Sequence, residues 1–392
     1  MMPARHRCLV TAARSDELGA RSLAQLTCMF VASIHNSTLK YLHLPTFCSV
    51  STNPTCLSIN TTIKLAKPAA VHDHDADSYF AFNSCGEQPC YRTVAAPMKL
   101  LRGPKRGYSG KYGGWWGDVS LNETIWSQGS TLAAFDHSKC PHDGTSVMLM
   151  LDGTGCSSEF FRVLSRSTAA VVKEWHSFRG QLQERLRAGA AATGHLDPGF
   201  KPGDINVVLH WRLRDAPLCR RWPAEHLERT INMLRAVLAA KRRFSARFWL
   251  HTDGCAGADT CSLLQRRIGQ QQRNDTVVLG RDFGLLRALT QFLRADILLP
   301  APSSLSIFAA LLTQAKAVLF PEANPLGVQW CRAAAAYFPN SSSRWAARLG
   351  WMPIQSSALN YSGESAWMPT LRVADFERLS AFGETRMTST TV

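Results

Sequence analysis

His210-Trp211-Arg212-Leu213-Arg214-Asp215 follows directly on the apolar run Val207-Val208-Leu209, so an arginine and a histidine leave the end of what reads as a buried strand. In an open parallel sheet, ligands collect in the crevice outside the carboxyl ends of the strands. An arginine there can make paired, charge-assisted hydrogen bonds to a diphosphate, whose charge is greatest as it leaves a reacting carbon. Arg212 suits that task. Strand alternation puts His210 and Arg212 on one face and Trp211 on the other, so His210 can hold a base, a ribose or Arg212 itself. The same residues also fit a blander account: a surface arginine after a buried strand, beside a satisfied structural histidine.

Three further clusters bear on binding. In Asp296-Ile-Leu-Leu-Pro-Ala-Pro-Ser303-Ser304-Leu305-Ser306 a strand ends, prolines turn the chain and serines open an apolar helix. Ser303 reads as an N-cap, with Ser304 and Ser306 offering hydroxyls and first-turn N–H groups to a phosphate; plain capping without a ligand is equally compatible. Glu17-Leu18-Gly19-Ala20-Arg21 turns into the first helix, where Gly19 would let backbone approach a ligand and Arg21 would reach across a cleft to a phosphate. An ordinary helix start has the same composition. Trp115-Trp116 among Gly113, Gly114 and Gly117 can stack on a sugar or form a satellite core cluster.

The elements that must position these residues follow from periodicity. A strand at Cys8 to Ala13, a helix from Leu18 to Ile34 and a strand from Asn36 through Tyr41 make one βαβ-like unit. The region from Pro45 to Gly144 has poor periodicity and reads as a long looped stretch. A strand at Ser146 to Leu151 and a helical stretch from Ser157 to Ala190, broken near Gly180, complete an N-terminal lobe over 1–193. The segment 194–203, with two prolines and three glycines, reads as a linker. Residues 204–345 alternate short apolar strands with helices, which implies an α/β lobe built on a doubly wound parallel sheet. Residues 346–392 read as a partly disordered extension.

A 45% hydrophobic content over 392 residues gives enough apolar material for two folded domains and argues against general disorder. The net charge of +15 suits an anionic ligand. Its basic residues are scattered in ones and twos rather than set in a stripe with stacking aromatics, which disfavours nucleic acid. None of the 12 cysteines forms a Cys-x-x-Cys pair, so neither a zinc ribbon nor a thioredoxin-type centre is indicated. Cys48 and Cys56, Cys85 and Cys90, and Cys255 and Cys261 are close enough to close small disulfide loops. Six of the eleven asparagines, at 36, 60, 122, 274, 340 and 360, stand in glycosylation sequons. Both features point to the lumen of the endoplasmic reticulum or Golgi. The opening residues are too short and charged for a signal or anchor, so either the protein is soluble or a membrane anchor is missing from this sequence.

Taken in order, these pieces resemble the clan of GDP-fucose-dependent fucosyltransferases that includes protein O-fucosyltransferases, the core α-1,6-fucosyltransferase and plant xyloglucan fucosyltransferases. The resemblance rests on Leu18-Gly19-Ala20-Arg21 with Asn36 to Tyr41, on His210, Arg212 and Asp215, and on Ala295-Asp296 with Ser303-Ser304-Leu305-Ser306. It implies a two-lobed GT-B glycosyltransferase that inverts the sugar carbon, takes GDP-fucose as donor and needs no metal or other cofactor. Arg212, with His210 and Asp215, would then be catalytic, and Gly19, Arg21, Asp296, Ser303, Ser304, Leu305 and Ser306 would line the donor site. The acceptor would be a glycan or glycoprotein, and Asp118 and Glu123 lie in the region expected to face it. Glu17 stands where the clan has a first glycine, Leu213-Arg214 where it has Arg-Gly or Arg-Thr, and Ala288 where several members carry the aspartate that reads guanine. A catalytically inactive descendant that binds nucleotide or glycan is the second class of function. Sulfotransferases are disfavoured because no phosphate loop follows the first strand.

Overall fold

The computed structural model describes residues 8–13, 18–34, 39–41, 99–101, 147–152, 169–212, 224–239, 246–252, 276–279, 284–301, 303–321, 349, 351–356 and 369–370. The chain divides into two compact units, Met1–Gly194 and His195–Val392. Both are α/β. The six sequons, the paired cysteines, the tryptophan loop, Asp118, Glu123 and Asp215 lie outside the described residues. Among those described, no helix is long and apolar enough to cross a membrane.

The first unit contains β1 (Cys8–Ala13), α1 (Leu18–Ile34), β2 (Leu39–Tyr41), β3 (Lys99–Leu101), β4 (Val147–Asp152) and α2 (Ala169–Ala192). Its sheet runs β2-β1-β4-β3, all parallel. Helix α1 buries Leu23, Leu26, Met29 and Phe30, the spacing of one helical face. The Phe30 ring meets Trp175 of α2 edge-on at 5.1 Å and Phe178 at 5.4 Å. The break expected near Gly180 does not occur, because α2 runs through it. Glycine there costs about 1 kcal/mol relative to alanine. Burial of Trp175, Phe178, Leu182 and Leu186 outweighs that, at roughly 1.5–3 kcal/mol per large side chain. The helix stops at Gly194, whose φ of +73° favours a residue without Cβ, and Thr193 Oγ1 donates back to the Gly189 carbonyl at 2.9 Å.

The second unit holds β5 (Ile205–Trp211), α3 (Ala224–Ala239), β6 (Ala246–Thr252), β7 (Thr276–Leu279), α4 (Leu285–Arg294), β8 (Ile297–Leu299), α5 (Ser304–Leu312), β9 (Ala317–Pro321), β10 (Met352–Ser356) and β11 (Pro369–Thr370). The sheet order is β11-β10-β9-β8-β5-β6-β7, parallel throughout except for the β10–β11 pair. The chain thus builds β5, β6 and β7 outward in one direction, returns, and adds β8, β9 and β10 on the other side. That is the doubly wound order, with its switch point between β5 and β8. Strands β10 and β11 carry the sheet beyond residue 345 into the stretch read as an extension.

Both faces of the sheet are covered, which explains its near-continuous apolar strands. Val207, Leu209 and Trp211 of β5 pack with Phe248 and Leu250 of β6 against Leu227, Ile231, Leu234 and Leu238 of α3. His210 and His251 point the other way, to Phe292 of α4, at ring-centroid distances of 5.5 and 5.0 Å. Helix α4 is fastened to the end of α5 by Thr313, whose hydroxyl donates to the Phe292 carbonyl at 2.8 Å.

Candidate anion-binding site

The two strands that flank the switch point each deliver one polar side chain to it. Arg212 follows the last residue of β5, and Ser303 precedes α5 after β8. Arg212 Nη1 donates to Ser303 Oγ at 3.2 Å. Ser303 is 4% exposed, so this bond lies below the surface at the carboxyl end of the sheet, while Arg212 itself is half-buried. A guanidinium has five N–H donors, and the serine takes one of them.

Ser303 occupies the N-cap position of α5 in extended backbone, φ −138° and ψ 135°, yet its side chain makes no capping hydrogen bond. Its hydroxyl oxygen accepts from Arg212 instead. The first-turn N–H groups at Ser304, Leu305 and Ser306 therefore have no serine oxygen over them, and the positive end of α5 stands next to a guanidinium. That is the arrangement in which a phosphate is held by backbone amides and an arginine together.

The remaining expected residues divide. Ser304 and Leu305 lie half-buried in the first turn of α5. Ser306 is fully buried and donates to the Ala301 carbonyl at 2.9 Å and the Ser303 carbonyl at 3.3 Å. Its hydroxyl closes the turn into α5 rather than facing a ligand, satisfying carbonyls where β8 gives way to the helix. Asp296 is at the opposite edge of the sheet. Its Oδ2 accepts from the Asn206 backbone N–H at 2.9 Å, and its own N–H donates to the Asn206 carbonyl at 3.0 Å. Arg212 lies six residues further along that strand, roughly 20 Å at strand rise. Asp296 is a register clamp between β5 and β8. Gly19 is buried in the first turn of α1 in the other unit, and the Arg21 side chain is outside the described residues.

His210 is 9% exposed and sits one residue before the Trp211–Arg212 step, with its ring tilted at 38° to Phe292. Its register partner on β6 is His251, which sequence reasoning missed. Burial pushes the His251 imidazole down to about 4, so the ring is neutral near pH 7. A signal for it was present, since β5 and β6 each end one residue after a histidine.

No family model matches the chain, and no curated protein matches it in sequence. Solved structures with similarity include a single-residue variant of Arabidopsis thaliana FUT1 in complex with GDP. It has a TM-score of 0.44 and 9% identity over 81% of this chain and 71% of that one. E. coli ADP-heptose LPS heptosyltransferase II has a TM-score of 0.35 and 9% identity, covering 97% of this chain and 99% of its own. E. coli heptosyltransferase WaaC with ADP has a TM-score of 0.33 and 11% identity, covering 97% and 98%.

Proposed function

We propose that this chain is a glycosyltransferase that takes a nucleotide-diphosphate sugar, with GDP-fucose as donor and a glycan or glycoprotein hydroxyl as acceptor. The observation that carries the reading is the Arg212–Ser303 bond at the switch point, beside a helix start without a serine cap. In the inverting reaction an acceptor hydroxyl attacks the anomeric carbon. The bond from that carbon to the diphosphate oxygen breaks, GDP leaves with the electron pair, and the hydroxyl proton passes to a base or solvent. Arg212 and the α5 amides act where charge grows on the leaving diphosphate, and their stabilisation is therefore larger in the transition state than in the bound donor. The sequons and cysteines favour a Golgi or endoplasmic reticulum lumenal setting. The choice of fucose and of guanine rests on the sequence resemblance, against which Ala288 stands as a departure.

The test mixes purified protein with GDP-fucose, GDP-mannose, a UDP-sugar or a CMP-sugar and a pool of glycan and peptide acceptors, reading nucleotide release and acceptor mass. Gain of one deoxyhexose from GDP-fucose alone is the expected result. Transfer from a UDP-sugar would keep the enzyme class and overturn the donor. GDP binding with no transfer over a broad pool would favour a binding protein, and no binding of any nucleotide would sink the reading.

A further inference from the structure

Residues 194–203 have the composition of a linker, yet the backbone there changes partners across a single residue. The Thr193 N–H donates to the Gly189 carbonyl at 3.0 Å and the Gly194 N–H to the Ala191 carbonyl at 3.2 Å, so both belong to the end of α2. The next carbonyl, that of His195, accepts from Thr290 Oγ1 of α4 at 3.0 Å, a proton the hydroxyl shares with the Leu286 carbonyl. Arg294 Nη1 donates to the Leu196 carbonyl at 2.7 Å and Gln291 Nε2 to the Pro198 carbonyl at 2.6 Å.

The hold continues past Pro198. The Gly199 N–H donates to Asp197 Oδ1 at 2.7 Å, and a Cβ added at Gly199 would come within 2.7 Å of Arg287 Nη2. The Phe200 ring packs on Trp249 of β6 at 5.4 Å, and the Asp204 N–H returns to the Lys201 carbonyl at 3.3 Å, closing the turn into β5. Glycine and proline thus set the bends of a fitted strap, and α4 supplies donors to carbonyls that its path would otherwise leave unmatched.

Gly194 is held differently. Its φ is +73°, a region glycine enters at no steric cost, and an added Cβ would meet nothing within 4 Å. Its two backbone dihedrals can turn without displacing a neighbouring side chain. We infer that the two units pivot at Gly194, with the strap 195–203 carried as part of the second unit. Rotation there leaves the strap, α4 and the Phe292 ring against His210 and His251 as one body, so the candidate anion site keeps its shape while the units reorient. The inference is independent of whether that site takes a nucleotide.

Gly203 provides the internal control. It also has a positive φ, +89°, and open space around an added Cβ, but it lies between Phe200 and Asp204, which are fixed on β6 by Trp249 and by the 3.4 Å pair with Arg247. If residues 194–203 were a free linker, the two glycines would be equivalent. The test measures backbone 1H–15N residual dipolar couplings and relaxation on the full chain. Couplings across 195–203 should fit the alignment tensor of the second unit as well as those of α4 and β5 do, with order parameters near 0.85 rather than below about 0.6. The tensors of the two units should differ in magnitude. Gly194→Ala, which narrows backbone freedom without touching a neighbour, should roughly halve that difference. Gly203→Ala should leave it unchanged. Strap couplings that fit neither tensor or that of the first unit, one tensor shared by both units, or equal effects of the two substitutions would each overturn the inference. Should Gly194→Ala fail to fold, the wild-type couplings decide it alone.

Discussion

The two edges of the second sheet use polar residues in opposite ways. At the amino edge, Asn206 donates its backbone N–H to Asp296 and its amide nitrogen to the Asp204 carbonyl, and its amide oxygen accepts from Trp249 Nε1 at 3.1 Å, while Arg247 pairs with Asp204 at 3.4 Å. These contacts tie the starts of β5 and β8 to β6 and fix strand register. At the carboxyl edge Ser303 turns away from the helix it should cap and holds Arg212. Positive charge is gathered there beside the first turn of α5. Polarity directed inward holds a fold together, and polarity left facing a crevice prepares it for a ligand.

The sharpest way to break this contrast is Arg212→Ala. Removing one donor aimed at a developing oxyanion costs about 3 kcal/mol, or roughly a hundredfold in transfer rate. Folding stability should stay within about 0.5 kcal/mol, since the residue is half-buried at a ligand edge. Arg187→Ala, at an exposed position of α2, is the control. Equal rates in the two variants would remove Arg212 from the chemistry.

A second effect of similar size is read as stability against pH. The unfolded His251 titrates near 6.5 and the folded one at about 4, so below 6.5 the unfolded chain takes up a proton that the folded chain refuses. Stability is therefore full above pH 6.5 and declines towards pH 4, by up to about 3 kcal/mol. Denaturant midpoints across that window should fall in the wild type and fall less steeply in His251→Asn. A parallel decline in both would assign the loss to other groups.

Asp296→Ala tests the amino edge. Loss of its bonds to Asn206 should destabilise the second unit by about 2 kcal/mol, as for a hydrogen bond to a charged group. GDP affinity below the melting transition should not change. Weakened GDP binding in the folded variant would mean that Asp296 reaches the ligand after all.

The smallest effects separate two serines three residues apart. Ser303→Ala should weaken GDP binding about threefold by freeing Arg212 and should leave stability nearly unchanged, because no cap is lost. Ser306→Ala should lower stability by about 1 kcal/mol and leave binding alone. The reverse pattern, measured by titration and chemical denaturation, would restore Ser303 to an ordinary N-cap.

Periodicity alone placed most elements of the second unit within a residue or two. Strands such as Ile205–Trp211 and Ala246–Thr252 are short, apolar and bounded by turn residues, and α4 and α5 start after glycine and serine. The chain could also be read for the side on which His210 and Arg212 lie, because alternation is a local property of a strand. Gly180 misled that reading, since a helix interior is decided by what its far face buries. Strands β10 and β11 escaped it because strands of five and two residues have little pattern of their own. What sequence could not decide was partnership. Asp296 and Arg212 both looked like site residues, and the parallel register of β5 with β8 sent one to each end of the sheet. The donors of α4 at positions 290, 291 and 294 are written in the sequence, but their acceptors, the carbonyls of His195, Pro198 and Leu196, stand more than ninety residues earlier. Such carbonyls leave no mark on residue type, so only the tertiary structure brings them to the helix.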